Sequence, residues 1–256
     1  MTRDQFIRGW TACRSLESTR LELSTAVCYT DAWKGQEAMR RFGHQLDDLQ
    51  ARLLEMGELV ETAIHDGVGA LLQGDEALAR RAIEIEVRID RMELAIDDFA
   101  ATLFALNQPT ACDMRRLAAT IKINNDLERM SDLAAHIAER ALSVIPKGPL
   151  PFLDIPRLAQ MTAAMVHDSL DALVRHDAEL ARHVVLADDE VDQLRDTLYR
   201  DLIGSMQQNA ATVSWAIHLL FIVWHLERIA DHANNIGEDV LYYLQGVDVR
   251  HHASVS

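Results

Sequence analysis

The chain has 256 residues, of which 49% are apolar and 25% charged, a balance typical of a folded globular protein. Its net charge of −15 and its scattered lysines and arginines argue against a nucleic-acid partner. Three cysteines without metal-type or paired spacing indicate a reducing compartment. We find no leader pattern, and the longest apolar run, residues 216–224, is too short to cross a bilayer. We therefore expect a cytoplasmic protein without membrane insertion.

The N-terminal residues 1–38 differ from the rest of the chain. They show no clear apolar periodicity beyond one short helical stretch. We interpret them as an N-terminal extension and leave disorder open as an alternative. From Met39 onward the pattern becomes strongly helical, with apolar residues at helical spacing and few glycines between them. Three such stretches between residues 39 and 145 predict a bundle of three helices.

Prolines divide the helical part of the chain. Four of the five lie within residues 145–156, and proline disrupts a helix interior. We therefore predict a linker over residues 146–156. The fifth, Pro109, suits the first turn of a new helix. Residues 157–248 then show a second series of three helical stretches.

The two series are internal repeats. Asp75 aligns with Asp177, 102 residues later, and Asp132 aligns with Asp231, 99 residues later. Three elements recur in the same order, which chance similarity between amphipathic helices rarely produces. We predict an all-α fold of two tandem antiparallel three-helix bundles, residues 39–145 and 157–248, related by an internal pseudo-twofold duplication.

Paired carboxylates recur in both series. Two side chains four residues apart lie on one helical face, where like charges are locally unfavourable. If the second and third helices of each bundle pack antiparallel, four carboxylates converge into an oxygen-rich site for Mg²⁺, Mn²⁺, Ca²⁺ or iron. An exposed acidic stripe balanced by neighbouring arginines is an equally good interpretation. The pairs are Glu86 with Asp90, Glu128 with Asp132, Asp188 with Asp192, and Glu227 with Asp231.

Enzymatic interpretations find little support. Di-iron bundles use Glu-x-x-His, and no glutamate here has a histidine three residues later. His218, His225 and His232 recur every seven residues and span about 21 Å on a helix, too far for one ion, so we interpret them as surface or interface residues. Trp215 and Trp224 are predicted to lie in the core or under a covered face. Nucleophile elbows, phosphate loops and dinucleotide turns are absent, so we predict neither catalytic residues nor an organic cofactor.

The segments LERMSDLAAHIAE and LERIADHANNIGE, the segment QPTACDMRR and the duplicated D-x-x-LA helix resemble the PhoU family of phosphate-signalling proteins. The resemblance covers residues 39–248. It implies a non-enzymatic regulator that represses the phosphate-starvation response and restrains phosphate uptake when phosphate is plentiful. It also implies two partners, the ATPase subunit of a phosphate ABC transporter and a sensor histidine kinase, and a homodimer.

The same resemblance implies metal sites, because the Glu/Asp-x-x-x-Asp motifs of several family members hold iron or divalent metals. Iron, Mn²⁺, Mg²⁺ and Zn²⁺ stay open. Asp126 is matched by His225, so we expect the two sites to differ in metal or occupancy. A carboxylate-bridged metalloenzyme or metal store is the alternative function. The implied ligands are Glu86, Asp90, Glu128, Asp132, Asp188, Asp192, Glu227 and Asp231.

Overall fold

A computed structural model describes the backbone of residues 21–145 and 154–246 and the side chains of residues 40–145 and 154–246. These residues are almost wholly helical and include no strand, which confirms the all-α prediction. A 3₁₀ turn, Ala210–Thr212, precedes the last helix. The helices are α1 (Leu21–Gln73), α2 (Glu76–Leu106), α3 (Ala111–Val144), α4 (Ile155–Arg175), α5 (Ala178–Gln208) and α6 (Val213–Gln245).

The N-terminal extension differs from the sequence-based expectation. Helix α1 begins at Leu21 and continues without a break past residue 38, so the described part of the extension is helical rather than disordered. Residues 1–20 lie outside the described residues. The chain divides into two compact units, Met1–Gln45 and Leu46–Ser256.

The predicted linker, residues 146–156, ends earlier than the prolines indicate. Helix α4 begins at Ile155 and carries Pro156 in its first turn, where the missing amide hydrogen has no cost. Residues 146–153 are outside the part that the structure describes. Pro109 precedes the N-cap Thr110 instead of lying in the first turn of α3, and Thr110 forms a capping box with Asp113.

Apolar spacing explains which helical faces are buried. In α1, buried side chains recur at intervals of three and four residues from Leu46 to Ile64. Helix α2 packs against α3, α5 packs against α6, and α4 packs against both α5 and α6. Polar contacts place α1 beside α2 and α4, since Arg88 donates to Glu55 at 2.9 Å and Gln50 donates to the Leu173 carbonyl at 3.4 Å. Each three-helix series thus forms a bundle.

Helices α3 and α6 pack on each other around the pseudo-twofold axis. Lys122 of α3 donates to Asp239 of α6 at 2.6 Å, and Arg140 of α3 stacks 4.5 Å from the Phe221 ring centroid of α6. Since Lys122 corresponds to Phe221 and Arg140 to Asp239, both 99 residues later, each contact is the symmetry mate of the other. The pseudo-twofold relation predicted from the sequence is therefore present in the contacts.

A second pair of contacts is related by the same pseudo-twofold symmetry. Asn235 of α6 donates to Asp126 of α3 at 3.5 Å, and its mate is the stack of His136 on His225, with ring centroids 5.4 Å apart. Burial, followed by the nearby charges of His136 and Arg140, lowers the pKa of His225 to about 4. The duplicated interface is polar on one side of the axis and aromatic on the other.

Helix α6 is the most apolar element. Within the described residues, Ala210–Gln245 is the one helical stretch that could cross a membrane by length and composition. This is weak evidence, because core helices of soluble proteins meet the same test, and α6 packs against three other helices. Only 33% of its most apolar window is buried, however. Trp224 is 42% exposed, so it does not lie in the core, which was one of its two predicted positions.

The turn between the first two helices of each bundle is also duplicated. Gly74 and its counterpart His176 adopt left-handed backbone conformations, with φ of 69° and 53°. The following Asp75 and Asp177 cap α2 and α5 by accepting hydrogen bonds from backbone amides of the first turn. Glycine accepts this conformation without strain, whereas a side chain at the same position destabilises the turn.

Gly74→Ala is therefore expected to lower the free energy of unfolding by about 1 to 2 kcal/mol, because alanine disfavours the left-handed region. The matched control is Gly204→Ala in α5, four residues before the helix ends at Gln208, where an added Cβ meets no atom within 4 Å. This second change is expected to stabilise the fold by about 0.5 to 1 kcal/mol through helix propensity. Thermal unfolding followed by circular dichroism measures both, and two shifts of the same sign would contradict the interpretation.

Candidate metal centre

Helices α2 and α3 bring carboxylates together on the first bundle. Glu86 and Asp90 lie one turn apart on α2, and Asp132 faces them from α3. One ligand oxygen of each lies within 4.8 Å of the others. Oxygen ligands bind divalent cations at about 2.0 to 2.6 Å, so ligands on opposite sides of an ion are about 4 to 5 Å apart. These three carboxylates are therefore spaced as cation ligands require.

Glu128 lies one turn before Asp132 on α3 and is not among the three carboxylates whose oxygens lie within 4.8 Å of one another. Its side chain is 16% exposed. The Oε2 atom lies 3.3 Å from Arg129 Nε but receives no hydrogen bond, and no solvent reaches it. A buried carboxylate oxygen without a hydrogen bond is costly, and a cation bound within reach of Glu128 would relieve that cost.

A fifth carboxylate, Glu93 of α2, was not singled out from the sequence. It follows Asp90 by three residues and Glu86 by seven, so helical spacing alone could have identified it. Burial first, and then the charges of Asp97 and Asp90, raise the pKa of Glu93. We name this group the first-bundle cluster: Glu86, Asp90, Glu93, Glu128 and Asp132.

The pKa values of the cluster report burial first and neighbouring negative charge second. Burial, followed by the charges of Asp90 and Asp132, raises the pKa of Glu86. Burial and the charge of Asp132 likewise raise the pKa of Glu128, against the opposing effect of Arg129. Ionising these groups costs free energy in the folded protein, and a bound cation would recover that cost.

The second bundle arranges its four predicted carboxylates differently. We name Asp188, Asp192, Glu227 and Asp231 the second-bundle cluster. Arg195 of α5 reaches into it, with Nη1 donating to Glu227 at 2.6 Å and lying 2.9 Å from Asp192. The guanidinium therefore stands where a cation would bridge the two helices. Among the described side chains, no three ligands of this cluster approach one another as those of the first bundle do.

Burial still acts on the second-bundle cluster. Burial first, and then Asp231 and Asp192, raise the pKa of Asp188 to about 6. Burial also raises the pKa of Asp231, although Arg228 donates to this carboxylate at 2.7 Å. Glu227 is 12% exposed and keeps one buried oxygen without a hydrogen bond.

The two clusters differ at one pair of equivalent positions. Arg195 of α5 corresponds to Glu93 of α2, 102 residues earlier. The exchange replaces one negative charge by one positive charge in the second bundle. The sequence analysis expected the two sites to differ because Asp126 is matched by His225. Both side chains lie in the α3–α6 interface, so neither belongs to a carboxylate cluster. The first-bundle cluster fits a divalent cation, and the second-bundle cluster already contains a cation of its own.

These features define a class: a duplicated all-α protein of two three-helix bundles with carboxylate clusters between the second and third helix of each. Comparison with known proteins is more specific. The PhoU domain family matches residues 53–141 and 155–240. The chain belongs to the PhoU family.

Relatives and solved structures agree over most of the chain. The phosphate-specific transport system accessory protein PhoU homologue of Pseudomonas aeruginosa is 36% identical over 214 residues, 83% of this chain and 88% of that protein. The Escherichia coli PhoU accessory protein is 34% identical over 82% of this chain and 88% of its own length. The crystal structure of PhoU from P. aeruginosa matches 80% of this chain and 100% of that chain, with a TM-score of 0.79 and 36% identity. That of Streptococcus pneumoniae PhoU matches 81% and 99%, with a TM-score of 0.76 and 29% identity.

Acid is expected to stabilise the metal-free protein through Asp188. Its pKa in the folded state, about 6, exceeds the ordinary value of 3.8. The folded state therefore binds more protons between these values, and stability rises as pH falls through about 6. Asp188→Asn is expected to raise the melting temperature at pH 7.5 and to have little effect at pH 4. Melting curves in chelator-treated buffer measure this, and a destabilising effect at pH 7.5 would contradict the assignment.

The exchange of Glu93 and Arg195 predicts unequal cation binding. Mn²⁺ is expected to raise the melting temperature of the wild type, because a ligand that binds only the folded state stabilises it by about 2.7 kcal/mol at one hundred times its dissociation constant. Glu93→Arg is expected to remove most of this shift, and Glu93→Gln part of it. The matched variant Arg195→Glu is expected to increase it. A shift unchanged by Glu93→Arg would contradict the assignment.

Proposed function

We propose that this protein represses the phosphate-starvation response and restrains phosphate uptake when phosphate is plentiful. Family membership is the observation that supports this proposal. Relatives named accessory proteins of the phosphate-specific transport system match 81–84% of this chain. The fold of solved PhoU structures is shared as well. A protein of this kind acts by contact with other proteins rather than by turnover.

Two partners follow from this role, the ATPase subunit of a phosphate ABC transporter and a sensor histidine kinase. We propose that the protein links the two in the cytoplasm, without inserting into the membrane, and that it forms a homodimer. The net charge of −15 supports basic protein surfaces as partners and disfavours nucleic acid. The exposed apolar surface of α6 supports a role in docking.

The carboxylate clusters supply a way to adjust this surface. We propose that the first-bundle cluster binds iron or a divalent cation such as Mn²⁺, Mg²⁺ or Zn²⁺, with Glu86, Asp90, Glu128 and Asp132 as ligands. Bound, the ion would supply positive charge between α2 and α3. The carboxylates would hold the two helices together around it and lose their mutual repulsion. The second-bundle residues Asp188, Asp192, Glu227 and Asp231 would bind more weakly because Arg195 competes.

A metalloenzyme or metal store is the alternative function, and the convergence of three carboxylates in the first bundle favours it. It predicts turnover or large metal loading that collapses in Glu128→Ala/Glu227→Ala. The chain has no Glu-x-x-His motif, which carboxylate di-iron bundles use, so this alternative lacks its usual ligand set. Metal stoichiometry distinguishes the two, because an adaptor needs a few ions and a store needs many.

Deletion of the gene is expected to switch on a phosphate-starvation reporter in phosphate-rich medium, and the intact gene is expected to silence it again. The strain must lack any other member of the family, so that redundancy does not mask the effect. Gly204→Ala, which lies outside both carboxylate clusters and adds a Cβ that meets no atom within 4 Å, serves as an expression-matched complementation control. A reporter that stays silent after deletion in this background would contradict the proposal.

A further inference from the structure

An arginine lies over the acidic pair of α3. Arg129 follows Glu128 by one residue and precedes Asp132 by three, and Arg228 occupies the equivalent position on α6. The guanidinium of Arg129 contacts both carboxylates of the pair. Its side chain is 54% exposed, so it covers the pair from the solvent side.

The contacts of Arg129 are long. Its Nε atom lies 3.3 Å from Glu128 Oε2 without forming a hydrogen bond, and its Nη1 atom donates to Asp132 at 3.4 Å. Charge-assisted hydrogen bonds between nitrogen and a carboxylate oxygen are ordinarily about 2.7 to 2.9 Å long. Glu128 Oε2 thus has neither a hydrogen bond nor access to solvent, although a guanidinium is beside it. Arg129 therefore compensates the negative charge of this pair only in part.

The second bundle holds its arginines more tightly. Arg228 donates to Asp231 at 2.7 Å, and Arg195 donates to Glu227 at 2.6 Å. Arg195 also lies 2.9 Å from Asp192, and only 21% of its side chain is exposed. A guanidinium with short contacts and little exposure is harder to displace than one with long contacts in solvent. The two bundles therefore differ in how easily an arginine can leave the carboxylates.

Asp132 is the residue for which Arg129 and a bound cation would compete. It is one of the three carboxylates that are spaced as cation ligands, and it also accepts the hydrogen bond from Arg129. Positive charges about 4 Å apart repel each other appreciably where protein partly replaces water. Moving Arg129 away has little cost, because exposed ion pairs contribute little to stability and solvent lies beside this side chain.

We propose that Arg129 is the counter-ion of the metal-free first-bundle cluster and that it leaves Asp132 when a cation binds, whereas Arg195 stays in the second-bundle cluster. Breaking the contacts of Arg129 then lowers the cation affinity of the first bundle, and the loaded bundle has a free guanidinium on its surface. The cation site itself rests on the proposed function, and the role of Arg129 in regulating it goes beyond that proposal.

Calorimetric titration of the full-length protein with Mn²⁺ tests the effect on affinity. The test variant is Arg129→Gln, which removes the guanidinium from an exposed position. The matched control is Arg88→Gln. Arg88 lies between Glu86 and Asp90 in the sequence and is 57% exposed, but it donates to Glu55 of α1 at 2.9 Å instead of lying over the acidic pair. Each variant removes one positive charge, so the comparison separates contact with the cluster from net charge.

Arg129→Gln is expected to bind Mn²⁺ about two- to fivefold more tightly than the wild type, because the cation no longer displaces an exposed ion pair. Arg88→Gln is expected to bind Mn²⁺ with the affinity of the wild type in a buffer of physiological ionic strength, where salt screens exposed charges that are not in contact.

Chemical modification of arginines tests the displacement in the wild type, without any substitution. Phenylglyoxal reacts with accessible guanidinium groups, and mass spectrometry of the digested protein gives the reaction rate at each arginine. Addition of Mn²⁺ to chelator-treated protein is expected to raise the rate at Arg129 at least about twofold, because the released side chain becomes the major population. The rates at Arg88 and Arg195 are expected to stay unchanged.

Two results would overturn the role of Arg129 while the cation site stands. One is Mn²⁺ binding by Arg129→Gln that is equal to or weaker than that of the wild type. The other is a modification rate at Arg129 that Mn²⁺ does not raise. If the wild type binds no Mn²⁺, the cation site is overturned together with the role of Arg129. The regulatory role in phosphate signalling is measured separately by the reporter strain.

Discussion

The packing of α3 against α6 determines where both carboxylate clusters lie. Both helices carry fully buried side chains, among them Leu127, Met130, Leu226 and Ile229. Lys122, Asp126, His136 and Arg140 follow one stripe of α3 along this contact, while Glu128 and Asp132 follow another that faces α2. Helical geometry separates the two stripes. A change in the rotation of α3 would therefore disturb the helix contact and the carboxylate cluster together.

Charge then distinguishes two sites that the backbone makes alike. Glu93 adds a carboxylate to the first-bundle cluster, while Arg195 at the equivalent position donates to Glu227 of the second. A guanidinium placed by the chain has no translational freedom left to lose, so it competes effectively with a cation from solution. One copy of the duplicated element thus has a negative charge at this position, and the other has a positive charge that neutralises part of its carboxylate cluster. Duplication allows such divergence because each bundle packs its own carboxylates.

Helical periodicity was sufficient to predict the duplication, the six helices and the acidic pairs, because each depends on spacing within one helix. Glu93 had a similar signal, seven residues after Glu86. No sequence pattern predicted that Arg195 crosses from α5 to Glu227 of α6, because this contact depends on the separation of the two helices. Trp224 was predicted in the core or under a covered face from the apolar character of α6, yet hydrophobicity does not show which face neighbouring helices cover. Contacts between helices, rather than patterns within them, were the missing information.

The central claim is that the first-bundle cluster binds a cation more readily than the second. Anomalous diffraction from crystals of the protein equilibrated with Mn²⁺ tests it most directly, because the signal locates each ion. The account predicts a strong peak among Glu86, Asp90 and Asp132, and a weaker peak or none beside Asp188 and Asp192, where Arg195 donates to Glu227. Equal peaks at both clusters, or a peak at the second alone, would contradict it.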